Sequence, residues 1–128
     1  MDPLIEAAWA ARRQARPDFS GFPVGAALED SQGRIFGGCN IENVSYGLTI
    51  CAERVAIFKA LSEGGRQFRR IVVVTEAARV TPPCGACRQI IWEFCGDIPV
   101  TAMNRAGESK TWRMPELLPD PFDRENLE

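Results

Sequence analysis

Arg70-Ile71-Val72-Val73-Val74-Thr75 decides the fold class. Four consecutive apolar residues fill the centre of this segment, so both faces of the strand they form are apolar. A strand with two apolar faces belongs inside a sheet covered by helices, not at a half-solvated edge. Elements of the matching kinds lie on either side. Upstream, Cys51 to Ser62 reads as a helix stopped by Glu63-Gly64-Gly65. Before it, Val24 to Glu29 and Arg34 to Cys39 read as a hairpin around Asp30-Ser31-Gln32-Gly33. Residues 3–15 read as an amphipathic helix, with Asp2 as cap, Pro3 at the first position and Leu4, Ala8, Ala11 and Ala15 on one stripe. Downstream, Pro82-Pro83 stiffens the approach to a helix over Gly85 to Phe94. A strand over Ile98 to Met103, a turn at Asn104 to Gly107, a short strand near Thr111 and a helical turn over Met114 to Leu118 follow. The order α-β-β-α-β-α-β-β predicts a mixed sheet with helices packed on it, in one domain spanning residues 1–128.

Composition narrows the chemistry. The chain has five cysteines and no histidine. Ser-His-Asp and Cys-His catalysis are thereby excluded. Any zinc site must use thiolates, carboxylates and water. An odd cysteine count with a C-x-x-C pair points to reduced thiols. With no secretory signal at the Met-Asp-Pro start and no apolar run long enough to span a bilayer, the expected location is the cytoplasm, with no membrane partner. The net charge is -2 and the basic residues are scattered. A nucleic-acid-binding face needs a concentrated basic stripe, so polymeric nucleic acid is not the expected partner.

Two segments carry reactive groups at helix starts: Cys51-Ala52-Glu53-Arg54 and Pro83-Cys84-Gly85-Ala86-Cys87-Arg88. Helix N-termini favour the thiolate, the form that binds metal. Cys84 and Cys87 can share one ion, and Cys51 adds a third sulfur. Three protein ligands leave a tetrahedral zinc one open position, where water is activated. Glu53, two residues after Cys51, can then move the proton. Arg54 and Arg88 each follow a site residue and are expected to donate hydrogen bonds to the sulfurs, withdrawing electron density. Two other readings of the cysteines stay open: a structural four-cysteine zinc closed by Cys39 or Cys95, and a redox pair at Cys84 and Cys87. Cys39 ends a strand and Cys95 suits helix packing.

The combination C-A-E followed by P-C-x-x-C has the all-cysteine form of the zinc deaminase signature. With it, Phe22-Pro-Val-Gly-Ala-Ala-Leu28, Gly38-Cys-Asn-Ile-Glu-Asn43, Pro83-Cys-Gly-Ala-Cys-Arg-Gln89 and Leu117-Leu-Pro119 make the chain similar to the small homotetrameric cytidine deaminases from about Phe19 to Phe122. The resemblance implies a three-layer α-β-α sandwich with a five-stranded sheet and one zinc on Cys51, Cys84 and Cys87. It implies Glu53 as acid and base, Asn40 and Glu42 on the ribose, and Phe22 beside the base. It further implies a homotetramer, in which Tyr46 and Phe122 approach a neighbour's substrate. The implied reaction is hydrolytic deamination of cytidine and deoxycytidine, with modified cytosine nucleosides such as blasticidin S as the alternative. Two departures stand out. Pro82 replaces the usual serine, which leaves only a carbonyl to meet the departing amine. Phe19 replaces a tyrosine and loses its hydroxyl.

Overall fold

The computed structural model describes residues 1–128. Its elements are α1 (Pro3–Arg12), β1 (Gly25–Asp30), β2 (Ile35–Cys39), α2 (Ala52–Ser62), β3 (Phe68–Thr75), α3 (Gly85–Cys95), β4 (Val100–Asn104), β5 (Ser109–Trp112) and α4 (Met114–Leu117). Short 3-10 turns add Tyr46–Leu48 and Arg124–Leu127. Every expected element is present. The main shift is at α1, which stops three residues before Ala15. Pro17 disfavours helix at the residue before it, and Arg16 instead pairs with Ile41 as an isolated bridge.

The five strands form one mixed sheet in the order β2-β1-β3-β4-β5. Only β3 and β4 run parallel as neighbours; the other pairs are antiparallel. Asp30 fixes the β1–β2 turn. Its carboxylate accepts from the Gln32 and Arg34 N–H groups and pairs with the Arg34 guanidinium. Gly33 supplies the positive φ of +83° that the turn requires.

β3 is interior, as its composition demands. Ile71 faces one core with Ala26, Leu28, Ala56, Ile57 and Ile91 from β1, α2 and α3. Val72 and Val74 face the other core with Leu4 and Ala8 of α1. The result is three layers: α1, the sheet, then α2 with α3. Close approach of the outer layers depends on glycine. A Cβ on Gly38 would lie 2.5 Å from the Ala52 carbonyl oxygen of α2, and one on Gly25 would lie 2.1 Å from the Ala8 carbonyl oxygen of α1.

This topology sets where chemistry can occur. β2 and β3 are both antiparallel to β1, so they run in the same direction and end at the same edge of the sheet. α2 follows β2 and α3 follows β3, so the N-termini of both helices return toward that edge. β1 begins there too. Loops outside the carboxyl ends of strands are the usual ligand-binding region of such sheets.

Candidate active site

Cys51 occupies the N-cap position of α2, and Cys84 the N-cap position of α3. Cys87 sits in the first turn of α3, and Glu53 in the first turn of α2. The converging helix starts bring all three sulfurs within 4.8 Å of one another. Cys51 Sγ and Cys84 Sγ are 3.6 Å apart. Two sulfurs each about 2.3 Å from a tetrahedral zinc would lie about 3.8 Å apart. The donor set therefore fits zinc in type, number and spacing. Cys39 and Cys95 lie outside the cluster. Burial pushes the Cys95 thiol up to about 12 and raises Cys39 as well, so both stay protonated as packing groups. No fourth thiolate closes the site.

The electrostatics point the same way. Cys51 is brought down to about 5, chiefly by the hydrogen bond with Cys87, against the opposing effect of burial and with help from Arg54. Cys87 is pushed up by the same shared proton, by burial and by the charge of Glu53. Crowded sulfurs cannot all ionise unless a cation balances them. Arg54 Nη2 donates to Cys51 Sγ at 3.5 Å, as expected. Arg88 does not meet a sulfur. Its Nε donates to the Pro83 carbonyl at 2.8 Å and its Nη1 to the Leu117 carbonyl at 2.9 Å. In a first helical turn, its side chain leans back over the preceding loop, so it braces the approach to Cys84 against α4.

Beside the sulfurs opens a cavity of about 240 Å³ lined by Phe22, Asn40, Glu42, Cys51, Glu53 and Cys84, with Val24 and Val73 among its apolar lining. Glu53 is 4% exposed. Burial raises its carboxyl to about 7, with the Cys51 charge adding to the shift. A carboxyl in that range can both accept and release a proton near neutrality. Asn40 is fixed by the strand ends: its Oδ1 accepts from Val24 N–H and its Nδ2 donates to the Phe22 carbonyl, both at 2.9 Å. Glu42 accepts from the Phe19 and Ser20 N–H groups and from the Ser20 hydroxyl.

Seven of the expected site residues thus gather here, counting Cys87 behind the cavity wall. Tyr46 and Phe122 do not line this cavity; they are 74% and 64% exposed. Tyr46 meets Phe19 edge to face at 5.6 Å. Ser20, Thr49 and Thr81 also line the cavity, and none of them stands out in the sequence. Ser20 lies two residues before Phe22, the spacing of a serine turn, but many surface serines share that spacing. A larger depression of about 760 Å³ lies between α1 and the β4–β5 turn, but it contains no thiol and no buried carboxylate.

Residues 2–103 match the family model of the cytidine and deoxycytidylate deaminase zinc-binding region. The chain is 47% identical to the cytidine deaminase of Sporosarcina psychrophila over 99% of this chain and 94% of that protein. It is 48% identical to that of Halalkalibacterium halodurans, over 97% and 95% respectively. The crystal structure of cytidine deaminase from Burkholderia pseudomallei superposes with a TM-score of 0.90 at 48% identity, covering 93% of this chain and 96% of that one. A converging three-thiolate cluster, a buried carboxyl at its edge and these likenesses lead to one assignment: the chain belongs to the cytidine and deoxycytidylate deaminase family.

Proposed function

We propose that this protein hydrolyses the exocyclic amino group of cytidine and deoxycytidine, yielding uridine or deoxyuridine and ammonia. Cys51, Cys84 and Cys87 hold one zinc ion. The observation that carries this is the meeting of three sulfurs within 4.8 Å beside a buried glutamate in one cavity. Zinc held there would supply Lewis acidity, making a water nucleophilic near neutral pH.

The rest is done by the protein's own groups. Glu53 takes one proton from the attacking water and delivers it to N3 of the ring, then takes the remaining proton of the same oxygen as the C4 carbonyl forms and delivers it to the amine as the C4–N bond breaks, releasing ammonia; its near-neutral carboxyl suits both directions of transfer. Arg54 tempers the charge on Cys51 through its N–H donor. Arg88 steadies the Pro83 carbonyl and so the turn into Cys84. The Pro82 carbonyl accepts a hydrogen bond from the departing amine, since Pro82 lines the cavity and can only accept. Phe22 packs beside the base. Asn40 and Glu42 hold the sugar hydroxyls.

Tyr46 and Phe122 reach a neighbouring subunit's substrate in a homotetramer. Their exposure supports this, because it leaves both rings accessible to a neighbouring subunit. The nucleoside is a small molecule from pyrimidine salvage, and the free thiols suit the cytoplasm. No helix is long and apolar enough to cross a membrane.

Glu53→Gln tests the mechanism. It keeps zinc and fold but lowers kcat by at least about a thousandfold, since one carboxyl serves more than one transfer and each is worth about 10²–10⁴. Zinc content is read together with uridine formation. Turnover within threefold of wild type would remove Glu53 from the reaction.

A further inference from the structure

We propose that Ser20 is a positioning residue for sugar recognition: its hydroxyl ties Glu42 to Phe22 and so sets the affinity for the nucleoside. This rests on the reading that Glu42 holds the sugar.

The loop from Arg16 to Phe22 is built around Glu42. Arg16 N–H donates to the Asn40 carbonyl at 2.9 Å, and Glu42 N–H donates to the Arg16 carbonyl at 3.0 Å. Gly21, at φ +68°, closes the turn by donating to the Pro17 carbonyl at 2.9 Å. That turn aims the Phe19 and Ser20 N–H groups at Glu42 Oε1, at 2.9 and 2.8 Å. Backbone alone therefore fixes one carboxylate oxygen.

The other oxygen depends on Ser20. The Ser20 hydroxyl donates to Glu42 Oε2 and accepts from Phe22 N–H at 3.1 Å. Its direction is settled, because an ionised carboxylate can only accept. The same contacts, with the Ser20 hydroxyl first, hold Glu42 below the ordinary carboxylate range and keep it ionised. A carboxylate offers about four acceptor sites. Three of them take hydrogen bonds from this loop. The fourth, on Oε2, has only a 3.5 Å contact from Asn40 Nδ2, so it is the one open to a ligand hydroxyl. Ser20 thus holds the oxygen that the sugar would meet. It also sets the backbone at Phe22, and both lie on the cavity.

Ser20→Ala keeps the backbone turn and the Oε1 contacts but frees Oε2. A hydrogen bond to a charged group is worth about a tenfold change in binding. Ser20→Ala is therefore expected to raise KM for cytidine about tenfold, with kcat changed less than about threefold and zinc content unaltered. Ser20→Thr, which retains the hydroxyl, should return KM to within about threefold of wild type. The deciding measurement is a double-mutant cycle with Glu42→Ala. If Ser20 acts through Glu42, adding Ser20→Ala to Glu42→Ala changes KM by less than about twofold. An undiminished effect in the Glu42→Ala background would mean a general structural role and overturn the proposal. So would a Ser20→Ala KM equal to wild type while Glu42→Ala raises it. A Glu42→Ala enzyme with wild-type KM would overturn the sugar contact itself, and the role of Ser20 with it.

Discussion

Gly38→Ala tests whether sheet and helix packing holds the active site in register. The added Cβ would lie 2.5 Å from both the Ala52 carbonyl oxygen and the Ala56 backbone nitrogen, and 3.0 Å from the Ala56 Cα. These are helix backbone atoms, so no side chain can swing aside. Ordinary contact begins near 3.4 Å, and α2 must retreat by about 1 Å. Overpacking of this kind costs about 1–3 kcal/mol, or a fall in Tm of about 4–12 °C for a chain of this length. Ala52 is the first residue of α2 and lies between Cys51 and Glu53. A 1 Å displacement at reacting groups can cost about a hundredfold in rate. Gly25→Ala is the counterpart on the other face of the sheet, with a deeper clash. Its Cβ would lie 2.1 Å from the Ala8 carbonyl oxygen and 2.7 Å from the Arg12 Cβ, on α1, which carries no site residue. Melting temperature and kcat/KM are measured on zinc-loaded protein of both variants. Both should lose stability, and only Gly38→Ala should lose activity by about 10–100-fold. Equal activity losses in the two variants would refute the idea that one face of the sheet positions the chemistry. A Gly38→Ala enzyme within twofold of wild-type kcat/KM would show that the site tolerates movement of α2.

Cys87→Ala should lose zinc and melt well below wild type, because a metal held by three protein ligands contributes to folding free energy; zinc content and Tm measured together check this, and full occupancy would exclude Cys87 as a ligand. Cytidine should exceed free cytosine by at least about a thousandfold in kcat/KM, since a site built to bond a hydroxyl rejects analogues lacking it by about 10⁴–10⁵; comparable rates would remove Asn40 and Glu42 from sugar recognition. Burial of Asp30 raises its carboxyl, but hydrogen bonds from the Arg34 side chain and the Arg34 and Gln32 N–H groups outweigh it and leave it below its ordinary 3.8. The unfolded chain therefore takes up this proton first, so the contribution to stability is present above pH 3.8 and lost as pH falls through the lower folded value. The Tm difference between wild type and Asp30→Asn should accordingly shrink as pH drops below 3.8; a difference independent of pH would show that the Asp30 charge contributes nothing.

Much of the architecture was legible because its strongest signals were local. The Ile71–Val74 run has no polar face, so only an interior position suits it, and it lies between β1 and β4. Asp30 to Gly33 carries the chemistry of a turn, and the hairpin closes there. The end of α1 was less legible. The alanine stripe continues to Ala15 with good helical propensity, yet the chain leaves the helix after Arg12. The competing influences are Pro17 and the pairing of Arg16 with Ile41, a residue distant in sequence. Strand pairing of that kind has no periodic signature.

The site divides along the same line between local and distant partners. Cys51, Glu53, Cys84 and Cys87 could be grouped from sequence because each falls at the N-cap or in the first turn of a helix, where spacing determines direction. Arg54 and Arg88 looked equivalent in sequence, one step past a site residue each. They part because their surroundings differ. Arg54 lies in the first turn of α2 beside Cys51, so its nearest acceptor is a sulfur. Arg88 lies one residue beyond Cys87 and finds two carbonyls within reach, from Pro83 and from Leu117, 29 residues further on. With both carbonyls within reach, the Arg88 donors are used there and not on a sulfur. Ser20 follows the same logic. Its one near carboxylate in sequence, Asp18, pairs with Arg16 instead; the partner is Glu42, 22 residues away, brought in by the Arg16–Ile41 bridge. The bridge that ends α1 early is therefore also what delivers Glu42 to the 17–22 loop. A variant that lengthened α1 into residues 13–16 would have to break it, and the side of the cavity lined by Ser20, Phe22 and Glu42 would come apart before the thiolate side was touched.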